Sequence, residues 1–232
     1  MSADEADRIR AEYARRTSGT LEDRYEPTRP ENVFSSQAIE RASIDALRRA
    51  RMLPLRERRI LDVGCGYGQG LAGFDAWGAD RADLAGLDLV AERAAAAARR
   101  FPEADVREGD ATALPWPDGT FDIVAQSMMF SSILDADVRA RAAAEMARVL
   151  RGGGVVLWYD FFVDNPRNDQ VAGMRKREIA RLFPGFELDL RRVTLAPPLA
   201  RRIVPRSRPL GSLLEAVRML DTHYIGTLQK PG

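Results

Sequence analysis

The 232-residue chain predicts an α/β protein, a doubly wound and mostly parallel sheet with helices on both faces. Three observations carry this. Short apolar runs of strand length alternate with helical stretches, the pattern of repeated βα units. One of these runs, "RRILDV", leads straight into glycines at every second position, Gly64, Gly66, Gly68 and Gly70, before the next helix opens. Length and a hydrophobic content of 45% suit one such domain, and no internal repeat divides the chain.

The elements follow in order. Residues 4–17 read as an amphipathic helix, joined by a polar link through Glu26, Pro27, Thr28, Arg29 and Pro30 to a second helix from about Ser36 to Met52, which stops at Pro54. "RRILDV" is the first strand and Gln69–Trp77 the helix after it. "DLAGLDLV" is the second strand, and "AERAAAAARR" is helical by alanine propensity. "ADVREGD" and "FDIVAQS" give the third and fourth strands. The helix "DADVRARAAAEMARVL" meets a stop at Gly152, Gly153 and Gly154, and "VVLWYDF" is the fifth strand. Beyond it, "RNDQVAGMRKREIARLF" reads as a helix ended by Pro184 and Gly185, and "FELDLRRVTLA" as the sixth strand. A proline-rich segment, 196–220, carries a short helix, and "THYIGTLQK" closes the sheet.

Composition narrows the function. Charged residues make up 30% and nearly cancel at +1, which argues against a dedicated nucleic-acid binder, since those domains are strongly basic. No run reaches the ~18 apolar residues of a membrane-spanning helix. The start, "MSADEADRIRAEYARR", lacks the apolar core of a signal peptide. A single cysteine, Cys65, excludes an internal disulfide and fits a reducing cytoplasm. With only one histidine beside it, a metal site is not expected. The C-terminal part is basic: Arg175, Lys176, Arg177 and Arg181 precede Arg191 and Arg192, and Arg201, Arg202, Arg206 and Arg208 follow.

A strand that ends in a glycine loop and opens into a helix is built to cradle a nucleotide. Glycines let the backbone come close, and the helix start offers unpaired N–H groups. The dinucleotide fingerprint G-x-G-x-x-G would put its third glycine at position 69, where Gln69 stands. The Gly-Lys-Ser/Thr ending of a Walker loop is absent. The spacing is instead Asp62-x-Gly64-x-Gly66-x-Gly68.

In this spacing "ILDVGCGYGQG" closely resembles the first motif of class I S-adenosylmethionine-dependent methyltransferases of the small-molecule type. "GLDLV", "EGDATALPWPDGTFDIV" and "RVLRGGGVVLWYDF" continue the resemblance in register over roughly residues 58–162. The resemblance implies S-adenosylmethionine as cofactor, cradled by Gly64, Cys65, Gly66 and Gly68, with Asp62 toward its ammonium group. It sets Asp88 on the ribose hydroxyls and Asp110 on the adenine amine, with Leu89 and Ala111 as walls and Gln126 and Ser127 at the end of the fourth strand. A carboxylate suits a diol because it accepts two charge-assisted hydrogen bonds. Asp88 follows Asp62 by 26 positions, near the ~20 expected of a ribose acid one βα unit on.

Many small-molecule relatives place a histidine pair or an acid–histidine pair after the fourth strand; here Ser131 and Ser132 stand there. The resemblance also implies seven strands, with the last antiparallel between the fifth and sixth. That order brings His223 toward Tyr159 and Asp160, so that His223, oriented by Asp160, is a candidate general base. A purely structural histidine is the alternative. Tyr13, Tyr25 and Arg29 are candidates for closing over the site, with Tyr67 and Tyr159 lining the acceptor side. The chain is expected to be one domain: an N-terminal helical lid region (1–57), a cofactor-binding core (58–162), and a substrate side (163–232) with a lid insertion at about 196–220. The basic tail suits an acidic acceptor, or with "PPLARRIVPRSRPLGSLL" a membrane surface. The expected function is methyl transfer to a small molecule, at oxygen first. Transfer to protein or RNA, a non-catalytic partner subunit and a dinucleotide oxidoreductase are the alternatives. No nucleic-acid partner and no integral membrane segment are expected, and a homodimer is allowed.

Overall fold

A computed structural model describes residues 3–16, 26–164 and 168–232. Eight α-helices and seven strands are found among them: α1 (Ala3–Arg16), α2 (Pro30–Arg49), β1 (Ile60–Val63), α3 (Gln69–Ala76), β2 (Leu84–Asp88), α4 (Ala91–Arg100), β3 (Asp105–Glu108), β4 (Phe121–Ser127), α5 (Ala136–Val149), β5 (Leu150–Phe161), α6 (Lys176–Leu182), β6 (Glu187–Leu195), α7 (Pro197–Ile203), α8 (Arg208–Ala216) and β7 (Asp221–Gln229). The strands form one sheet in the order β3-β2-β1-β4-β5-β7-β6. All neighbours are parallel except β7, which runs antiparallel between β5 and β6.

Alternation along the buried strands sends side chains to two cores. Leu61, Val63, Val124, Val156 and Trp158 pack with Met146 of α5 and Ile179 of α6. Ile60, Ile123, Ala125, Val155 and Leu157 pack on the other face with Leu47 of α2 and Phe74 of α3. The chain leaves β1 for β2 and β3 in one direction and returns through β4 on the other side of β1. The crevice outside the ends of β1 and β4 is therefore the switch point where open α/β sheets bind ligands.

Three expected elements are corrected. Helix α2 begins at Pro30, six residues before the expected start, because a proline is suited to the first helical position and only removes an N–H that would be unpaired there. The three glycines do not terminate α5. That helix ends at Val149, and Gly152–Gly154 lie inside β5, where the pairing with β4 shifts register between Phe121 and Ile123. A Cβ on Gly154 would come within 2.8 Å of the Asp122 carbonyl oxygen, so glycine makes the bulge possible. The helix expected from Arg167 forms only from Lys176. The stretch before it is held against the end of β5, with the Met174 amide donating to the Phe161 carbonyl at 2.7 Å and Gly173 tight on the Val163 backbone.

Candidate functional site

The glycine loop closes the crevice at β1. Gly64, Gly66 and Gly68 have φ of 78°, 54° and 81°, a region that side chains rarely enter. The amides of Gly64 and Cys65 both donate to the Leu87 carbonyl, at 2.7 and 3.0 Å, which ties the loop to the end of β2. Gly70 answers to an internal need: a Cβ there would run into the Asp62 carboxylate tucked under the first turn of α3. Cys65 is buried, its sulfur lodged against Gly86, and burial raises its thiol far out of the reactive range. It is a filler of the loop's underside.

Two carboxylates flank the loop. Asp88 Oδ2 accepts from the Gly66 amide and Oδ1 from the Val90 amide, both at 2.9 Å. Each oxygen keeps a further lone pair, which suits a vicinal diol. Asp62 is buried, and among the described residues no donor engages it. Burial, and then the charge of Asp88, push its carboxyl up to about 7. An ammonium group is the complement such a carboxylate lacks. Asp110, at the end of the β3 segment, accepts from the Thr112 amide at 2.8 Å.

The far wall comes from the turn after β4. Met128 has φ of 60° and is held by its amide donating to the Tyr159 carbonyl at 2.8 Å. This strained turn swings Met129 over the loop, 3.4 Å from where a Cβ on Gly64 would lie. Met129 and Leu89 then join Ile9 of α1, Ile133 and Val138 in one apolar cluster. Helix α1 is fastened above the crevice. Glu5 and Arg8 pair at 2.8 Å, Glu5 Oε1 accepts from the Leu134 amide at 2.7 Å, and Arg8 donates to the Ser132 carbonyl at 2.6 Å. The sequence reading missed this clamp: an acid and an arginine one helical turn apart look like an ordinary surface pair, and their partners lie more than a hundred residues on.

The structure brings the glycine loop, Asp62, Asp88, Leu89 and Met129 together, with Ala111 packed against the larger core nearby. Other expected residues stand elsewhere. Gln126 is buried and engaged at both ends, accepting from the Met129 amide at 3.1 Å and donating to the Tyr159 carbonyl at 3.4 Å. It shapes the turn; Ser127 beside it is exposed. Tyr67 lies under the Arg93 guanidinium of α4, 5.3 Å from ring centre to carbon, on the α4 side of the loop. Arg29 pairs with Glu31 at 3.6 Å. Tyr25 and the side chain of Tyr13 lie outside the described residues. The basic tail does not converge: Arg191 and Arg192 line a groove of about 280 Å³ between α2, β6 and α8, whereas Arg175 pairs with Asp164.

The expected acid–base pair is a correction. His223 is registered opposite Phe161, and Asp160 opposite Tyr224. Side chains paired across a ladder share a face and successive residues alternate, so His223 and Asp160 point to opposite sides of the sheet. His223 stacks on Tyr159 and Phe161, with ring centroids 4.9 and 4.0 Å away, and its Nδ1 meets the Thr222 hydroxyl at 3.1 Å. Burial lowers its pKa to about 3. Asp160 is fully buried and accepts from the Ser131 and Phe161 amides, and burial pushes its carboxyl up to about 7. Tyr159 is half-buried, its hydroxyl against Thr194 at 3.2 Å.

Residues 61–158 match the family of methyltransferase domains. Over residues 61–158 the chain carries a methyltransferase domain of the S-adenosylmethionine-dependent kind. The 27-O-demethylrifamycin SV methyltransferase of Amycolatopsis mediterranei is 30% identical over 70% of this chain and 63% of its own length. A demethylmenaquinone methyltransferase of Mycolicibacterium vanbaalenii is 35% identical over 55% of this chain and 52% of its own. The chain thus spans less than two thirds of these relatives. Among solved structures, the 1,6-didemethyltoxoflavin-N1-methyltransferase of Burkholderia thailandensis has a TM-score of 0.64 at 20% identity, covering 100% of this chain and 91% of that one. At that identity the likeness concerns the fold. The cofactor of the methyltransferase domain is S-adenosylmethionine, and the loop fits it: left-handed glycines, a carboxylate with lone pairs to spare and a buried carboxylate that meets no cation among the described residues.

Proposed function

We propose that the chain transfers a methyl group from S-adenosylmethionine to an oxygen of a small-molecule acceptor. The observation that carries the cofactor side is Asp62, buried at the foot of a left-handed glycine loop with no cation beside it among the described residues. When bound, S-adenosylmethionine supplies a methyl group on a sulfonium, which departs as a neutral thioether when an acceptor displaces it. The residues of the chain hold and screen. Asp62 would pair with the amino-acid end, Asp88 would accept from the ribose hydroxyls and Asp110 would hold the adenine amine. Leu89 and Met129, beneath Ile9 of α1, exclude water from the crevice. Positioning of this kind supplies up to ~7–11 kcal/mol of barrier lowering without a catalytic group.

Among the described residues, neither His223 nor Asp160 is placed to take a proton from an acceptor. This favours an acceptor oxygen that gives up its proton to water, a phenol, an enol or a carboxylic acid, over an aliphatic alcohol. The name of the Amycolatopsis relative supports oxygen as the atom methylated. The experiment is label transfer. The purified chain is incubated with methyl-labelled S-adenosylmethionine and a host extract, and products are separated by size and treated with alkali. Label in a small species supports the reading, and alkali-labile label identifies a carboxylic ester. Label in protein or RNA overturns it.

A further inference from the structure

The insertion between β6 and β7 carries an apolar surface that folding does not use. Six large hydrophobic residues are exposed among the described residues, and five of them fall within Leu210–Leu220: Leu210, Leu213, Val217, Met219 and Leu220. Met219 is 78% exposed and Leu213 63%. Helix α8 has two apolar sides. Gly211 and Leu214 face inward, where Gly211 rests on Val204 and Phe34 and Leu214 joins the cluster around them. Leu210, Leu213 and Val217, three and four apart, make a second stripe facing solvent. A small helix needs only one apolar side to hold its place, so the outward stripe is available to a partner.

The charge around the stripe is of one sign. Between Ala196 and Leu220 stand Arg201, Arg202, Arg206, Arg208 and Arg218 against one acid, Glu215, which is half-buried. Among the described residues none of these arginines is ion-paired. Arg208 donates to the Gln37 side chain, Arg206 to the Arg202 carbonyl and Arg218 to the Arg192 carbonyl, all neutral acceptors. A second copy docked face to face would set arginines against arginines. An anionic bilayer offers both complements, hydrocarbon for the leucines and methionine and lipid phosphates for the guanidinium groups, whose apolar stems reach upward from a half-immersed helix.

We propose that the α7–α8 insertion is a membrane-docking surface that rests on anionic lipid. It follows Leu195 and precedes Asp221, at the same edge of the sheet as the glycine loop, so docking turns the crevice toward the lipid face. The inference goes beyond the proposed transfer reaction and stands without it, since docking requires no methyl donor.

The test is flotation of the full chain with phosphatidylcholine vesicles, with and without phosphatidylglycerol. The chain should float with the anionic vesicles, and binding should fade as salt rises toward about 0.5 M. Leu213→Glu and Met219→Glu should each cut the bound fraction about tenfold or more. Arg206→Glu combined with Arg208→Glu should do the same, while Leu213→Glu and Met219→Glu keep the wild-type melting temperature, because those two side chains face solvent. Three results would overturn the proposal. One is absence of binding to either vesicle. Another is equal binding with and without the anionic lipid. The last is a wild-type dimer that Leu213→Glu dissociates without any vesicle binding, which would make the face a contact between copies.

Discussion

Two buried carboxylates stand at opposite ends of the central strands, and they are provided for in opposite ways. Asp122, one residue into β4, is 6% exposed and sits among donors: the Arg59 amide at 2.9 Å, Arg58 at 3.3 Å and Arg151 at 2.6 Å. Asp62, at the ligand end of β1, is 5% exposed and has none among the described residues, and its carboxyl is pushed up to about 7. A carboxylate that belongs to the fold carries its own counter-charges. One buried without a donor is held in place at a cost, because burying an ion without a partner is unfavourable.

Exchanging each for a neutral residue should separate the two roles. Asp62→Asn should weaken S-adenosylhomocysteine binding about 10- to 100-fold by calorimetry, the worth of a charged hydrogen bond. The same change should raise the melting temperature of the ligand-free protein at pH 8. Asp122→Ala should lower stability by about 2 kcal/mol, measured by urea unfolding, and leave the affinity of the folded protein unaltered. If Asp62→Asn destabilised the ligand-free protein at pH 8, the distinction would collapse.

The pH dependence sharpens it further. A carboxyl raised in the folded state lends stability only while protonated. Asp62 and Asp160, both raised to about 7, therefore favour folding at low pH, and this contribution is lost as pH rises from about 4 through about 7. The gain from Asp62→Asn should accordingly be present at pH 8 and vanish at pH 4. Ligand binding runs the other way. Pairing with an ammonium group requires the ionised form, so affinity should climb with pH up to about 7 and then level off. In Asp62→Asn that slope should be absent. A smaller effect is expected at the lid: Glu5→Gln removes one charge of the clamp on the Leu134 amide, and cofactor affinity should fall about three- to tenfold with little change in melting temperature.

How much of this was legible in the sequence depended on whether a residue's partner was local. The strand–glycine–helix signal was readable because left-handed backbone needs glycine wherever it occurs, and Asp88 lies one βα unit away at a regular spacing. Strand β4 was found with its observed bounds for a related reason: a run of buried apolar residues is a property of the segment itself. Gly154 of β5 was misread because its reason lies across the sheet, in the backbone of Asp122. The Glu5–Arg8 clamp and the strained turn at Met128 depend on atoms far along the chain. The pairing of His223 with Asp160 failed on one residue of register. The strand order placed the two side by side along the sheet, and alternation put them on opposite faces.

That register yields the smallest predicted effect. If His223 were a general base, removing it would cost about 10²- to 10⁴-fold in turnover. Buried, stacked between Tyr159 and Phe161 and pushed down to about 3, it is neutral throughout the working range and aimed at the Thr222 hydroxyl. His223→Phe keeps an aromatic ring in the stack and removes both nitrogens. Turnover on the labelled acceptor should stay within about twofold, and its pH profile should keep its shape. Loss of a limb of that profile would return the histidine to the reaction and mean that the strand opens there during catalysis, since no proton reaches a ring so enclosed.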